Sequence, residues 1–437
     1  MKHLLLFGAG KSATVLIGYL KQLATDKHWQ VIIADASEQA LLAKIGDHPL
    51  VKPAVLRIEN EAQRQSLVAA ADIVISLLPP ALHVLVARDC LAAGKNLLTA
   101  SYVSDDIRAM QKDINAKKLL FLCEMGLDPG IDHMSAMQLI HRITDQGGEI
   151  TSFQSHCGGL VAPESDNNPW HYKISWNPRN VVLAGKAGAV YKKDGVVVQQ
   201  HYEELFGHCA TIEVPGLAAL AYYPNRDSLQ YAGLYQLDNA ATFMRTTLRY
   251  PAFCTGWQQV IELGLTDEAT LYNTNGISYH QFFMQLLAAR GLEKSRYALQ
   301  QCDDAVVQQL QFLGLYNRAT LVNKGTCSAA DVLQTLLETK LSLQPNDKDM
   351  IVMVHELEYL LQSQRRKTTA TLVVKGRNSS DTAMATTVGL PLGIAAKLIL
   401  EEHITVTGLH VPVLPEIYEP VLAALQELGV AFTEETI

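Results

Sequence analysis

The chain has 437 residues and a mass of 48.0 kDa, room for two or three domains at about 150 residues each. Apolar residues make up 48% and charged residues 18%, a soluble globular composition that excludes a disordered or fibrous chain. Lys plus Arg number 36 against 44 Asp plus Glu, a net charge of −8, which opposes nucleic-acid binding across the surface. The seven cysteines, Cys90, Cys123, Cys157, Cys209, Cys254, Cys302 and Cys327, are scattered and never form Cys-x-x-Cys. That pattern predicts reduced thiols in a cytoplasmic protein and no metal site. The apolar opening Leu4–Phe7 is cut off by Gly8, Gly10 and Lys11, too soon for an export signal. The most apolar window, Ile73 to Ala87, is broken by Pro79-Pro80 and His83, so no membrane span is expected.

In chain order, near-continuous apolar runs stand at Leu4–Phe7, Val31–Ala34, Asp72–Leu78, Asn96–Thr99 and Leu119–Leu122, with a weaker one at Ala54–Ile58. Runs without alternation are strands buried on both faces. Between them, Lys11–Leu23, Glu38–Ile45, Ala81–Ala93 and Asp105–Ala116 carry apolar residues at helical spacing. This β-α-β-α series predicts an α/β fold with a doubly wound parallel sheet. From about Ile150 longer alternating runs appear, as in Gly185 to Val198, and helices are expected at Thr255–Leu263, Tyr279–Ala289 and Ala329–Leu341. Met350–Leu361 and Thr368–Lys375 read as a hairpin, and the chain closes with helices at Asp381–Leu400 and Glu416–Leu428 and a strand near Val430–Thr433. The middle is therefore an α+β domain inserted into the early sheet domain.

The first strand runs into Gly8-Ala9-Gly10-Lys11-Ser12-Ala13. In this G-x-G-x-x-A pattern the glycines allow a tight turn and close approach of a pyrophosphate, and the helix N-terminus supplies N–H groups for phosphate. Asp35 ends the second strand, 25 residues beyond Gly10, where a carboxylate can accept both ribose hydroxyls. It would repel a 2′-phosphate, and no Arg follows in Ala36-Ser37-Glu38, so NAD is favoured, with NADP possible. A triphosphate-binding loop is excluded, because Leu5 stands where that motif needs Gly.

Ser101-Tyr102-Val103-Ser104 follows the fifth strand and Gly126 to His133 the sixth, at the edge where α/β proteins bind ligands. Asp128-Pro129 fits an N-cap followed by Pro at the first helical position, a role compatible with reaching a substrate amine. His133 is expected to be packed within its helix, and Cys157 reads equally as a buried thiol. Arginines in Tyr223 to Ser228 and in Arg245 to Tyr250 face solvent or clamp carboxylates in bidentate fashion.

Together these segments resemble the glutamate-forming saccharopine dehydrogenase (saccharopine reductase) family over nearly the whole chain. The resemblance rests on Gly8-Ala9-Gly10, Ser76-Leu77-Leu78-Pro79, Ser101 to Ser104, Gly126 to His133, Cys157 to Glu164, Tyr223 to Ser228, Thr247-Leu248-Arg249-Tyr250 and Met384 to Pro391. It implies a Rossmann-type domain completed by the C-terminal segment, residues 1–128 and 381–437, and an inserted substrate-binding and dimerisation domain, residues 129–380. It implies an NAD(P)-dependent oxidoreductase of lysine metabolism, a homodimer, that interconverts saccharopine with glutamate and aminoadipate semialdehyde. Ser101, Tyr102, Asp128, Arg226, Thr247, Leu248 and Arg249 would hold the substrate. Gly8, Gly10, Lys11, Ser12, Ala13, Asp35, Leu78, Thr99, Gly126 and Trp176 would border the cofactor. Asp128, with Tyr102 or Cys157, would handle the amine and water protons. Val161 and Thr246 replace an expected Pro and Gly, and Asp35 stands where the fungal members carry Arg. An oxidoreductase acting on another carboxylated or polyamine-type secondary amine remains an alternative, as does a non-catalytic NAD-binding sensor.

Overall fold

The computed structural model describes residues 1–300 and 304–437, so Cys302 lies outside the described residues. The chain forms two compact units, Met1–Ile150 with Glu358–Ile437, and Thr151–Leu357.

In the first unit a seven-stranded parallel sheet has the order Gly408–His410, Leu120–Leu122, Asn96–Thr99, Ile73–Ser76, His3–Phe7, Gln30–Asp35 and Val51–Val55. Its central strands are buried along their length, as continuous apolar runs require. The strand order reverses at His3–Phe7, whose neighbours are Gln30–Asp35 and Ile73–Ser76. That is the switch point where the crevice of a doubly wound sheet opens.

The third strand lies at Val51–Val55, earlier than the expected Ala54–Ile58, and Pro53 is tolerated there because the strand is at the sheet edge. The first helix opens with a 3-10 turn, Lys11–Ala13, before the α-helix Thr14–Lys27. A helix at Glu61–Ala70 escaped the periodicity reading because it buries only Arg64 and Val68. The C-terminal segment completes the parallel sheet through Gly408–His410, a strand of only three residues that pairs with Leu120–Leu122. At the C-terminus, Val430 still caps the preceding helix, its N–H donating to Leu425 O, so the last strand starts at Thr433 and pairs antiparallel with Gln364–Lys375.

The expected C-terminal helix, at Ala383–Leu400, is long and apolar enough to cross a membrane, but most of it is buried inside the protein. It packs on the helices Thr14–Lys27 and Pro415–Glu427 as the core helix of this unit. The unit boundary also falls later than residue 128. Helix Ile131–Asp145 packs on Pro415–Glu427, with His141 Nδ1 2.8 Å from Tyr418 Oη and Arg142 paired with Glu434.

In the second unit the strands Ala210–Ile212, Leu220–Pro224, Thr242–Arg249, Glu149–Val161 and Asp349–Leu361 lie side by side in that order. The helices Pro251–Glu262, Tyr279–Ala289, Ala305–Leu313 and Ala329–Lys340 bury an aromatic core in which the Phe253 and Trp257 rings stack at 5.1 Å.

Among the features that hold the first unit, Arg64 Nε donates to Asp89 Oδ2 at 2.5 Å and Nη1 to Ile58 O, both side chains nearly fully buried. Removing one partner of a buried pair leaves an uncompensated charge. Arg64→Met should therefore destabilise the protein by about 3–5 kcal/mol, and Arg64→Met with Asp89→Leu by less, as read from urea unfolding midpoints. Equal losses in the single and double variants would show that the charge pair is not what holds these helices.

Candidate functional site

The strand His3–Phe7 ends at Gly8, where φ is 102° and a Cβ would stand 2.8 Å from Leu77 O. Only glycine meets both conditions. Gly10 then starts the 3-10 turn in extended conformation without a side-chain cap, and a Cβ there would meet nothing within 4 Å. Open space before an uncapped helical N-terminus fits a pyrophosphate. Ala13 is buried, as the third position of the motif requires, whereas Lys11 is exposed and Ser12 half-buried. Asp35 braces the turn: Oδ2 accepts the Ala9 N–H at 2.7 Å and Oδ1 the Ser37 N–H at 2.8 Å. Its remaining lone pairs can take ribose hydroxyls.

Lys44, absent from the sequence reading, reaches back so that Nζ donates to Ala9 O at 2.7 Å and to Gly10 O. Burial lowers its pKa and the Asp35 carboxylate opposes that shift. A single Lys on an amphipathic helix carries no signal of this contact. Leu78 packs against the sheet core, and Thr99 is buried with its hydroxyl donating to Ser101 O.

At the carboxyl edge of the same sheet, Ser101 Oγ lies 2.8 Å from His83 Nε2, and His83 Nδ1 lies 2.8 Å from Ser76 Oγ. The Tyr102 hydroxyl donates to Asp128 Oδ1 at 3.5 Å, with both residues partly exposed. Asp128 is not the helix cap that the sequence suggested. Gly130 holds the N-cap position, its N–H donates to Asp132 Oδ1, and the helix starts at Ile131, after Pro129. The loop is fixed from below, because a Cβ on Gly130 would lie 2.1 Å from Gly126 O. Glu124 is buried, accepting the Val103 N–H and pairing with His133 at 2.8 Å. His133 is packed, as expected, and Asp128 stays partly exposed.

In the second unit, Cys157 is buried and stands opposite Thr247 on the neighbouring strand. Arg249 is 4% exposed, lies over the rings of Tyr172 and Phe253 at 5.3 and 5.4 Å, and donates through Nη1 to Leu248 O. Its Nε is buried without a hydrogen-bond partner, and among the described residues it makes no ion pair. Burial works against its charge, but the neighbouring Tyr223, Tyr172, Cys254 and Cys157 side chains together outweigh it and the net shift is upward. Burial pushes Tyr223 up to about 12. Trp176 Nε1 donates to Tyr172 Oη at 3.1 Å, which joins it to the Arg249 cluster.

Two expectations change here. The Leu248 side chain is fully buried among Val352, Val354 and Tyr250, leaving only its backbone for a ligand. Arg226 is exposed and does not lie beside Arg249. Ala221 is level with Arg249, so Arg226 stands five positions further along, roughly 16 Å at 3.3 Å per residue. Thr246 and Val161, the departures from the family pattern, are both buried, and Thr246 Oγ1 bonds His156 Nδ1 at 2.7 Å. Among the described residues no group of three or more His, Cys, Asp or Glu could hold a metal ion.

A doubly wound sheet with a glycine turn, a carboxylate ending its second strand and polar side chains at its carboxyl edge has the build of a dinucleotide-binding α/β protein of two units. Residues 4–122 match the model for the saccharopine dehydrogenase NADP binding domain, and residues 126–430 the model for the saccharopine dehydrogenase C-terminal domain. The chain belongs to the saccharopine dehydrogenase family. It is 32% identical over 453 residues to the Saccharomyces cerevisiae saccharopine dehydrogenase [NADP(+), L-glutamate-forming], covering 100% of this chain and 99% of that protein. It is 34% identical to the Bos taurus mitochondrial alpha-aminoadipic semialdehyde synthase, again over 100% of this chain but only 48% of that longer protein. The solved apo structure of the yeast L-Glu-forming saccharopine dehydrogenase superposes with a TM-score of 0.90 at 30% identity and full coverage of both chains.

The turn geometry generates a direct expectation. Gly8→Ala forces a side chain onto φ 102° and against Leu77 O, which should weaken NADH binding at least about tenfold, read from quenching or enhancement of cofactor fluorescence on titration. Wild-type affinity in that variant would remove the turn from the cofactor site.

Proposed function

We propose that this protein is an L-glutamate-forming saccharopine dehydrogenase that interconverts saccharopine with glutamate and aminoadipate semialdehyde. The observation that carries the reading is Arg249, a buried guanidinium whose Nε has no partner, in a family whose substrate bears three carboxylates. Its rings and hydroxyls fix the cation, and a substrate carboxylate completes it.

Bound nicotinamide dinucleotide supplies the hydride acceptor for the carbon next to the secondary amine. The protein's part is orientation and proton transfer. Asp128, hydrogen-bonded to Tyr102, takes a proton from the substrate ammonium and releases it to solvent; once the imine has formed it takes a proton from the water that adds and returns it to the departing glutamate nitrogen. General acid–base help of this kind is about 10²- to 10⁴-fold. Of the two nicotinamide cofactors we assign NAD as preferred, because the Asp35 carboxylate ends the second strand at the ribose position. The six described cysteines are free thiols, which supports a reducing, cytoplasmic setting, and we assign a homodimer by the family frame.

The test is a nicotinamide-absorbance assay of the purified protein with saccharopine and NAD or NADP in parallel. Reduction should be faster with NAD, and Asp35→Ser should raise the NADP to NAD ratio of kcat/KM at least about tenfold. Arg249→Met should raise KM for saccharopine about 100-fold with a smaller change in kcat, as expected for a lost charge-assisted bidentate contact. Asp128→Ala should lower kcat about 10²-fold without abolishing it. No reduction of either cofactor with saccharopine, and no oxidation of NADH or NADPH with glutamate plus the semialdehyde, would reject the enzyme reading.

A further inference from the structure

The chain Ser76–His83–Ser101 is a buried polar relay of the first unit that the reaction described above leaves unused. Ser76 and His83 are buried at 0% and 3% exposure, and Ser101 is the partly exposed end. His83 begins the helix His83–Ala93, one residue past the Pro80–Leu82 turn, so the backbone fixes where its ring stands. Its Nδ1 is 2.8 Å from Ser76 Oγ and its Nε2 2.8 Å from Ser101 Oγ. Burial holds the ring far below the usual histidine range, at about 4, so it is neutral and has one N–H and one lone pair to place.

Counting donors decides which nitrogen carries the proton. Among the described residues the Ser76 side chain bonds only to His83, and a buried hydroxyl that cannot donate costs about 1–3 kcal/mol. Ser76 therefore donates to Nδ1. The ring proton is on Nε2, which donates to Ser101 Oγ. One of the two acceptor lone pairs of Ser101 is thus filled from behind, and its own O–H is left to donate forward. The Ser101 backbone is held too, its carbonyl accepting from the Glu124 N–H at 3.1 Å and the Thr99 hydroxyl at 3.4 Å.

We propose that His83 is a positioning residue that polarises Ser101 as a hydrogen-bond donor, so that Ser101 recognises a substrate carboxylate oxygen. This rests on the saccharopine reading for the identity of the carboxylate, but the direction of the relay does not. Two measurements separate the possibilities. In protein labelled with ¹⁵N-histidine, with the His83 signals assigned by their loss in His83→Gln, the ring should appear as the neutral Nε2–H tautomer at pH 7. The Nδ1–H tautomer or an imidazolium would overturn the proposal whatever the substrate proves to be.

In saccharopine kinetics, His83→Phe and Ser101→Ala should each raise KM about tenfold, with kcat within about twofold and NAD affinity unchanged. The double variant should be no worse than either single one, because both remove the same contact. His83→Gln, which returns an N–H near the Nε2 position, should recover most of the loss. Unchanged KM in His83→Phe, additive losses, or a parallel loss of NAD affinity would overturn the proposal. Absence of saccharopine turnover in the wild type would instead reject the functional reading, with the tautomer still deciding the relay.

Discussion

Burial of both faces of the parallel sheet is the constraint on which the dinucleotide unit depends. Helices cover the faces, so a polar group can reach a ligand only where strands end. Asp35, Ser76 and Thr99 each terminate a strand, and Ser101 and Glu124 follow within two residues of strand ends. At that edge a polar side chain must be satisfied by its neighbours or by a ligand. The protein uses both solutions. Thr99, Ser76 and Glu124 are buried and satisfied internally, while Asp128 and Ser101 remain partly exposed.

Arg249 shows the same logic with a charge. A buried cation without an anion carries a penalty of several kcal/mol. The two aromatic rings beneath it return about 0.5–2 kcal/mol each, and the single bond to Leu248 O adds about 1.5–3 kcal/mol. Those contributions fall short of satisfying five N–H donors, and Nε in particular is left without an acceptor. On the proposed function, a substrate carboxylate would supply the missing acceptor. Arg245, four residues earlier on the same strand, is equally buried but sits over Tyr231 at 4.6 Å, facing a different neighbourhood. Strand alternation does not separate the two, since residues four apart share a face; position along the strand does.

The parts of the fold that were legible in the sequence are those where one local signal suffices. Continuous apolar strands gave the sheet, and helix Tyr279–Ala289, with its Ser278 and Gln281 capping box, fell where spacing placed it. The glycine turn and Asp35 were legible because strand, turn and helix follow one another within a short segment. The strand Gly408–His410 was not, since three residues show no periodicity and only Leu120–Leu122 defines its pairing. The same limit applied to Asp128, whose Asp-Pro pair has the composition of a cap. Gly130 and Asp132 take over that role because the loop must turn against Gly126. His83 and Lys44 act through residues 18 and 34 or 35 positions away, a distance at which a single sequence records nothing. Arg226 and Arg249 are the reverse case, two similar motifs that chain geometry sends to different places.

Lys44 also modifies the field of the Asp35 carboxylate. Its ammonium lies beside the turn that Asp35 braces, close enough to interact with that carboxylate, so the long-range fields of the two charges partly cancel. Repulsion of a 2′-phosphate by net charge is therefore weaker than the carboxylate alone would suggest. What survives is short-range and directional. The Asp35 oxygens are acceptors, already aligned by the Ala9 and Ser37 N–H groups, and a ribose with free hydroxyls offers donors to them. A 2′-phosphate offers only further acceptors, and no hydrogen lies between the two sets of oxygens. In the proposed preference for NAD, discrimination at this position would rest on hydrogen-bond polarity, as in the proposed His83–Ser101 relay. Both depend on backbone groups fixed by the sheet edge rather than on the net charge of the protein.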